Sequence, residues 1–376
     1  MKLLSWGANS YSQLGHGRIS EQCTFPTSIS DEEERLNLTR VVDVKCGGGH
    51  TLVLDKDGRM FSCGWNSKGQ LGLPVSSASL SLKCMTCVED LKISHICCGW
   101  ESSYAVTSGK ELLVWGSNSF GQLGLERREI FLSSTPLRLS LPPVKTLATG
   151  LRHTAIVTEN GNVLVCGNGR KGQLGLMGDD GGPLFEETRP HIIPDVSNVT
   201  TVACGQYHTV VITDEGRMYA WGDNKHGQLG LDPTLHPSVF KPAEIHLFGN
   251  EQLPSECSIV CGWTHTALVT GNGDIYNWGR NTYGQLGCCG YERSVNWQPH
   301  KMANIHRVKQ LAVGSEHNIA LLDSGEIVSW GWNEHGNCGI GTEMDVTEPT
   351  HVKIDEHYKA VLVSAGGGHS FALIED

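Results

Sequence analysis

The sequence contains no apolar run approaching the roughly 20 residues a membrane-spanning helix needs, and it has no excess of positive charge. Lys and Arg number 29 against 40 Asp and Glu, for a formal net charge of -11 over 376 residues. That balance argues against membrane insertion and against non-specific attraction to nucleic acid, and it suits a basic partner surface. Phosphate-cradling signatures are also missing: there is no glycine-rich loop ending in Lys-Ser or Lys-Thr, and no GxGxxG opening a helix. No isolated nucleophile stands out, and we expect no cofactor and no metal. Cys84 and Cys87 have metal-pair spacing but no recognised second pair. The 14 cysteines form no secreted-type framework. Seven of them (Cys46, Cys63, Cys98, Cys166, Cys204, Cys261 and Cys338) fall in repeated slots where small buried hydrophobes belong. A reducing compartment is expected, the cytoplasm first and the nucleus second. Met1-Lys2-Leu3-Leu4 begins like a leader, but its apolar run stops at Ser5, so no cleavable segment is expected.

What is abundant is glycine, 46 residues, placed at fixed intervals. Trp221-Gly222-Asp223-Asn224-Lys225-His226-Gly227-Gln228-Leu229-Gly230 is one of seven near-copies of a single run. Their anchor glycines, Gly7, Gly64, Gly116, Gly167, Gly222, Gly279 and Gly331, are spaced by 57, 52, 51, 55, 57 and 52 residues. Such a period signals a repeat architecture filling one domain, 1–376. Upstream of six anchors lies a second run, typified by Gly205-Gln206-Tyr207-His208-Thr209. Dipeptides join it to the anchor: Asp57-Gly58, Ser108-Gly109, Asn160-Gly161, Glu215-Gly216, Asn272-Gly273 and Ser324-Gly325. Each pair predicts a hairpin turn with positive φ. The first anchor has no hairpin partner before it, and the last strand, Gly366 to Ile374, has no anchor after it. The two ends complete each other. The expected fold is therefore all-β, a seven-bladed β-propeller closed by pairing of the N-terminal strand with the C-terminal strands, which removes open sheet edges. Connectors at Thr24 to Thr39, with the acid run Asp31-Glu32-Glu33-Glu34, at Met177 to Arg189 and at Phe248 to Glu256 read as rim loops.

These paired motifs, GxxHTxxL and DGxVYxWGxNxxGQLG, resemble those of the regulator of chromosome condensation family, and the likeness covers essentially the whole chain. The resemblance implies a seven-bladed propeller that binds a small GTPase and promotes loss of its nucleotide. It also implies a role in secretion, with an exocyst subunit as a further partner. Such a protein is at most a guanine nucleotide exchange factor and has no active-site chemistry of its own. The chromosome-associated member uses a wedge in place of one GQLG loop. Here all seven loops have regular length, and Gly336-Asn337-Cys338-Gly339 is the only real departure from GQLG at its closing residues.

Six equivalent histidines, His50, His153, His208, His265, His317 and His369, read as structural, each bonding something such as a neighbouring backbone carbonyl. Ser102 replaces the seventh. Function is expected where the frame is constant and the residue varies, between glycine and histidine: Trp100-Glu101, Leu151-Arg152, Gln206-Tyr207, Trp263-Thr264 and Ser315-Glu316, against the featureless Gly48-Gly49 and Gly367-Gly368. Trp, Tyr and Arg are hot-spot types. Glu101, Arg152 and Glu316 are the polar groups expected to act on a partner. A salt-bridge network among these three is the equally weighted alternative. From the anchor loops, Asn9, Tyr11, Asn118, Phe120, Asn224, His226, Tyr283, Trp332, Glu334 and His335 are expected to reach the same face, several asparagines serving to form the loops. The candidate partner-binding face is thus Trp100, Glu101, Arg152, Gln206, Tyr207, Trp263, Thr264, Glu316, Trp332 and Glu334, on a monomer. A non-catalytic scaffold of the same fold is the rival reading. Light sensing would need clustered GWRHT runs, and only Gly262-Trp263-Thr264-His265-Thr266 comes near.

Overall fold

Alternating apolar positions in short segments punctuated by glycine turns favour strands over helices, and that is what forms. The computed structural model describes residues 1–29, 37–74, 78–249, 252–254, 256–288 and 296–376. The acid run at 31–34 and Cys289 lie outside them. Seven four-stranded antiparallel sheets make up the molecule. We number the blades from 41–84 (blade 1) through 93–139, 144–192, 199–245, 258–301 and 308–351 (blade 6). Blade 7 combines Lys359–Ala365 and His369–Glu375 from the end of the chain with Lys2–Ala8 and Gln22–Ser28 from its start. Leu3 pairs with Leu373 and Gly7 with His369, so the ring closes as expected.

The hairpin predicted in each repeat supplies the second and third strands of a blade, and these are almost wholly buried. Burial on both faces explains why their apolar pattern is so legible. The outermost strands are half-exposed and carry little pattern. Six of the seven contain a proline, Pro26, Pro136, Pro190, Pro242, Pro299 and Pro349. Proline suits an edge strand because it removes a donor that would invite pairing with another chain. Two predicted rim loops are corrected here. The 24–39 connector begins within the strand Gln22–Ser28, and the 177–189 connector ends within the strand Glu186–Ile192. Five hairpin glycines do take positive φ, but at Ser108-Gly109 the left-handed residue is Lys110, φ 68°.

The anchor glycines sit where any side chain would be strained, with φ from 97° to 115°. Gly64 has φ 104°, and a Cβ there would lie 2.5 Å from the Gly49 carbonyl. The strand bulges at this point, between Ser62 and Gly64, which turns the chain into its GQLG loop. Six of these loops are closed by an asparagine whose Oδ1 accepts the backbone N–H five residues on: Asn9, Asn66, Asn118, Asn224, Asn281 and Asn333. Asn9, Asn118 and Asn224 are therefore fully buried loop-formers that do not reach the face.

The histidines form a belt that joins the blades. His208 Nε2 lies 3.1 Å from Thr266 Oγ1 of the next blade, and that hydroxyl donates to Gln228 O at 2.8 Å. The same carbonyl accepts Trp278 Nε1–H at 3.0 Å. Because the hydroxyl's proton is committed to the carbonyl, the imidazole donates from Nε2, a tautomer assigned from the network. His50 with Ser103, His153 with Thr209, His317 with Ser370 and His369 with Thr51 repeat the joint. In the sixth case Asn318 replaces the hydroxyl, accepting from His265 and donating to Gln285 O. The expected backbone carbonyl is thus reached only through an intervening side chain. Burial holds His50, His208, His317 and His369 down to about 3 and His153 to about 4, so all are neutral at physiological pH. At the Ser102 blade, Tyr104 fills the gap: its hydroxyl is 2.9 Å from both Gln122 O and Thr154 Oγ1, and 3.1 Å from Ser102 Oγ.

Candidate functional site

Above the belt, the residues that follow the GxxH glycine ring the mouth of the central channel. Backbone bonds run from blade to blade around it: Gly48 N to Trp100 O, Gln206 N to Trp263 O, Trp263 N to Ser315 O, and Gly367 N to Gly47 O, at 2.7–3.1 Å. Side chains at these positions are therefore held by a stiff rim. Just inside, the channel is lined by Cys46, Cys98, Cys204 and Cys261. Burial pushes Cys46 and Cys261 up to about 12, so these thiols stay protonated and are not nucleophiles.

Trp100 and Trp263 meet across the mouth, ring centroids 5.0 Å apart and tilted by 50°. Trp100 can extend this far because the glycine pairs make room for it. A Cβ on Gly48 would stand 2.6 Å from Trp100 Cδ2, and one on Gly367 would stand 2.8 Å from Cζ3. Gly49 yields similarly to Tyr11, whose Cδ2 would lie 2.9 Å from a Cβ there. The positions that read as featureless are the seats of the aromatic cluster.

The expected face residues divide into two sectors. Trp100, Trp263, Glu316, Trp332 and Glu334 line one pocket of about 360 Å³ together with Tyr11, Arg280, Tyr283 and His335. Thr264 sits behind it, donating to Glu316 Oε1 at 2.7 Å. Glu101, Arg152, Gln206 and Tyr207 occupy the opposite side of the mouth and do not line the pocket. No ion pair joins Glu101, Arg152 and Glu316 among the described residues. Arg152 instead lies over the Phe120 ring, 4.2 Å from its centroid. Glu316 is not the free carboxylate expected of a contact residue. It is 5% exposed, accepts Gln285 Nε2–H at 2.6 Å, and has Arg280 Nη1 and His265 Nδ1 each 3.8 Å away. Its two oxygens are taken up by Thr264 and Gln285, with Arg280 beside them. Burial lowers His265, although Glu316 opposes that shift.

Arg280 escaped the sequence reading. It directly follows an anchor glycine, where the other repeats carry Ala8, Trp65, Ser117, Asn168, Asp223 and Trp332, so its signal was the one cation in that slot. Its guanidinium lies 4.9 Å from the Tyr283 ring centroid. The buried Tyr104 substitution for histidine was missed as well, since nothing in Ser102 points two residues onward.

A model described as the RCC1-like domain matches residues 2–372. The chain belongs to the RCC1-like family. Over 397 residues it is 33% identical to the mouse secretion-regulating guanine nucleotide exchange factor, covering 99% of this chain and 83% of that protein. It is 31% identical to the Arabidopsis thaliana ultraviolet-B receptor UVR8, covering 99% of this chain and 70% of the receptor. Among solved structures, Prp20p from Saccharomyces cerevisiae superimposes with a TM-score of 0.85 at 25% identity, covering 99% of this chain and 90% of Prp20p. That structure is described together with the binding properties of Prp20p to Gsp1p and histones. This RCC1-like propeller carries the mouth pocket described above.

Proposed function

We propose that this RCC1-like propeller uses its channel-mouth face to bind a small GTPase and acts as a guanine nucleotide exchange factor or GTPase-binding regulator in secretion. What supports the reading is the crowding of aromatic and charged side chains onto one mouth, in a chain aligned nearly end to end with a relative of that name. Such a site works by differential binding: it need only hold the nucleotide-free partner more tightly than the loaded one. An acidic, aromatic face suits a basic GTPase surface, where a carboxylate competes with phosphates for a lysine. We place the protein in the cytoplasm, with the nucleus as a second compartment, as a monomer, and we include an exocyst subunit among its partners.

The test is release of a fluorescent guanine nucleotide from a panel of small GTPases, with and without the protein. Faster release from one of them, slowed again by Arg152→Ala or Tyr207→Ala, is the expected result. Unchanged release across the panel sinks the exchange reading. A scaffold without exchange activity is favoured by one observation: six anchor loops close on themselves through the same asparagine bond. That reading predicts partner capture with no effect on release.

A further inference from the structure

We infer that the pocket between Tyr11, Trp263, Tyr283 and Trp332 is a receptor for a single basic side chain, lysine or arginine, projecting from the protein partner. The inference rests on the mouth being the partner face, and it assigns the pocket's occupant. Two carboxylates, Glu316 and Glu334, face one guanidinium, Arg280, so counted over its Asp, Glu, Lys and Arg the lining carries one formal negative charge in excess. The buried Glu316 and the Tyr283 ring already engage Arg280, which also donates from Nε to Thr282 Oγ1. The pocket's own cation is therefore committed. Glu334 is exposed at the rim and makes no hydrogen bond or ion pair among the described residues.

An uncommitted carboxylate beside several aromatic rings is complementary to a cation with an apolar stem. The rings attract the charge through their π faces while the methylenes bury against them. Arg280 over Tyr283 and Arg152 over Phe120 show that this mouth already favours such contacts with its own cations. An acidic occupant would face the excess negative charge. A purely apolar one would bury the Glu334 carboxylate without a partner, which is costly. The volume, about 360 Å³, lies at the small end of the roughly 300–1,000 Å³ typical of ligand pockets. It suits one side chain better than a folded element.

The experiment titrates the intact protein with the blocked pentapeptides Gly-Gly-Arg-Gly-Gly, Gly-Gly-Lys-Gly-Gly, Gly-Gly-Leu-Gly-Gly and Gly-Gly-Glu-Gly-Gly, reading the indole N–H resonances of Trp100, Trp263 and Trp332. The arginine and lysine peptides are expected to shift these signals saturably. Glu334→Lys, a rim change that leaves the core untouched, should weaken that binding about tenfold or more. Equal binding of the leucine peptide, or no loss in Glu334→Lys, overturns the proposal. The same variant is then compared with Arg152→Ala for capture of the GTPase that responds in the release assay. Loss with both supports the pocket, and loss with Arg152→Ala alone rejects the pocket but keeps the face. Retention with both rejects the face itself.

Discussion

The belt and the mouth lie a few residues apart in the same repeats, yet they obey opposite rules. In the belt six blades are tied to their neighbours by an imidazole, a hydroxyl or amide, and the backbone carbonyl of a loop glutamine or, once, of Asn337, so the same residue types recur. At the mouth backbone bonds make most of the ring, with side chains adding to it where Thr264 meets Glu316 and Ser315 meets Gly367, and the other side chains are released to differ. The blade that lacks the histidine teaches the same lesson. Blade 2 gave up its histidine but kept the joint, because the Tyr104 hydroxyl reaches the carbonyl and hydroxyl that the blades must share. The other blades carry Leu52, Ala155, Val210, Ala267, Ile319 and Phe371 at that position, where no such reach is needed.

Acid should break the belt first and most severely. Each belt histidine has its folded pKa depressed below the unfolded value of about 6.5, so the unfolded chain takes up protons first as pH falls. Stability is therefore complete above about pH 7 and declines below 6.5. By pH 5 each of the five held at about 3 to 4 should cost about 2 kcal/mol, enough together to unfold a protein of ordinary stability. Chemical denaturation at pH 7, 6 and 5 reads this out, and a flat profile would contradict a buried neutral belt. Next in size, His208→Ala should lose about 2–4 kcal/mol, since it leaves a cavity and strips Thr266 of its donor. Partner capture in the cold should survive.

Tyr104→Phe should cost about 1–3 kcal/mol by removing the hydroxyl that Thr154 and Ser102 share, leaving Gln122 O with the Thr154 hydroxyl. Ser102→His combined with Tyr104→Val should recover most of that, because Gly99 already leaves the space a ring at 102 requires. Failure of the pair to recover stability would mean Tyr104 is not the histidine's substitute. Smallest for stability, but felt at the mouth, is Arg152→Ala. Removing its exposed contact with Phe120 should change stability by less than about 1 kcal/mol while reducing partner capture. An equal effect on the melting transition and on capture would erase the distinction between belt and mouth.

The fold was legible because its signals are local. Positive φ at an anchor glycine, an asparagine closing its own loop, and apolar strands buried on both faces each mark the sequence within a few residues. The half-exposed outer strands leave no such mark, so the connectors drawn from sequence overrun part of two of them. The site was legible only as a face. That Trp100 and Trp263 vary within a constant frame could be seen along the chain. That they touch could not, since they are 163 residues apart and meet through space cleared by Gly48 and Gly367 from two other blades.

By itself the sequence determined the number of blades, the closure of the ring by its two ends, and which residues repeat for structural reasons, because periodicity is written along the chain. The tertiary structure alone decided that Glu316 is buried and committed, that Glu334 is not, that Arg280 belongs to the site, and that the paired glycines are seats for aromatic rings. Those facts depend on distances between blades, and in a closed ring such distances are set by every blade at once.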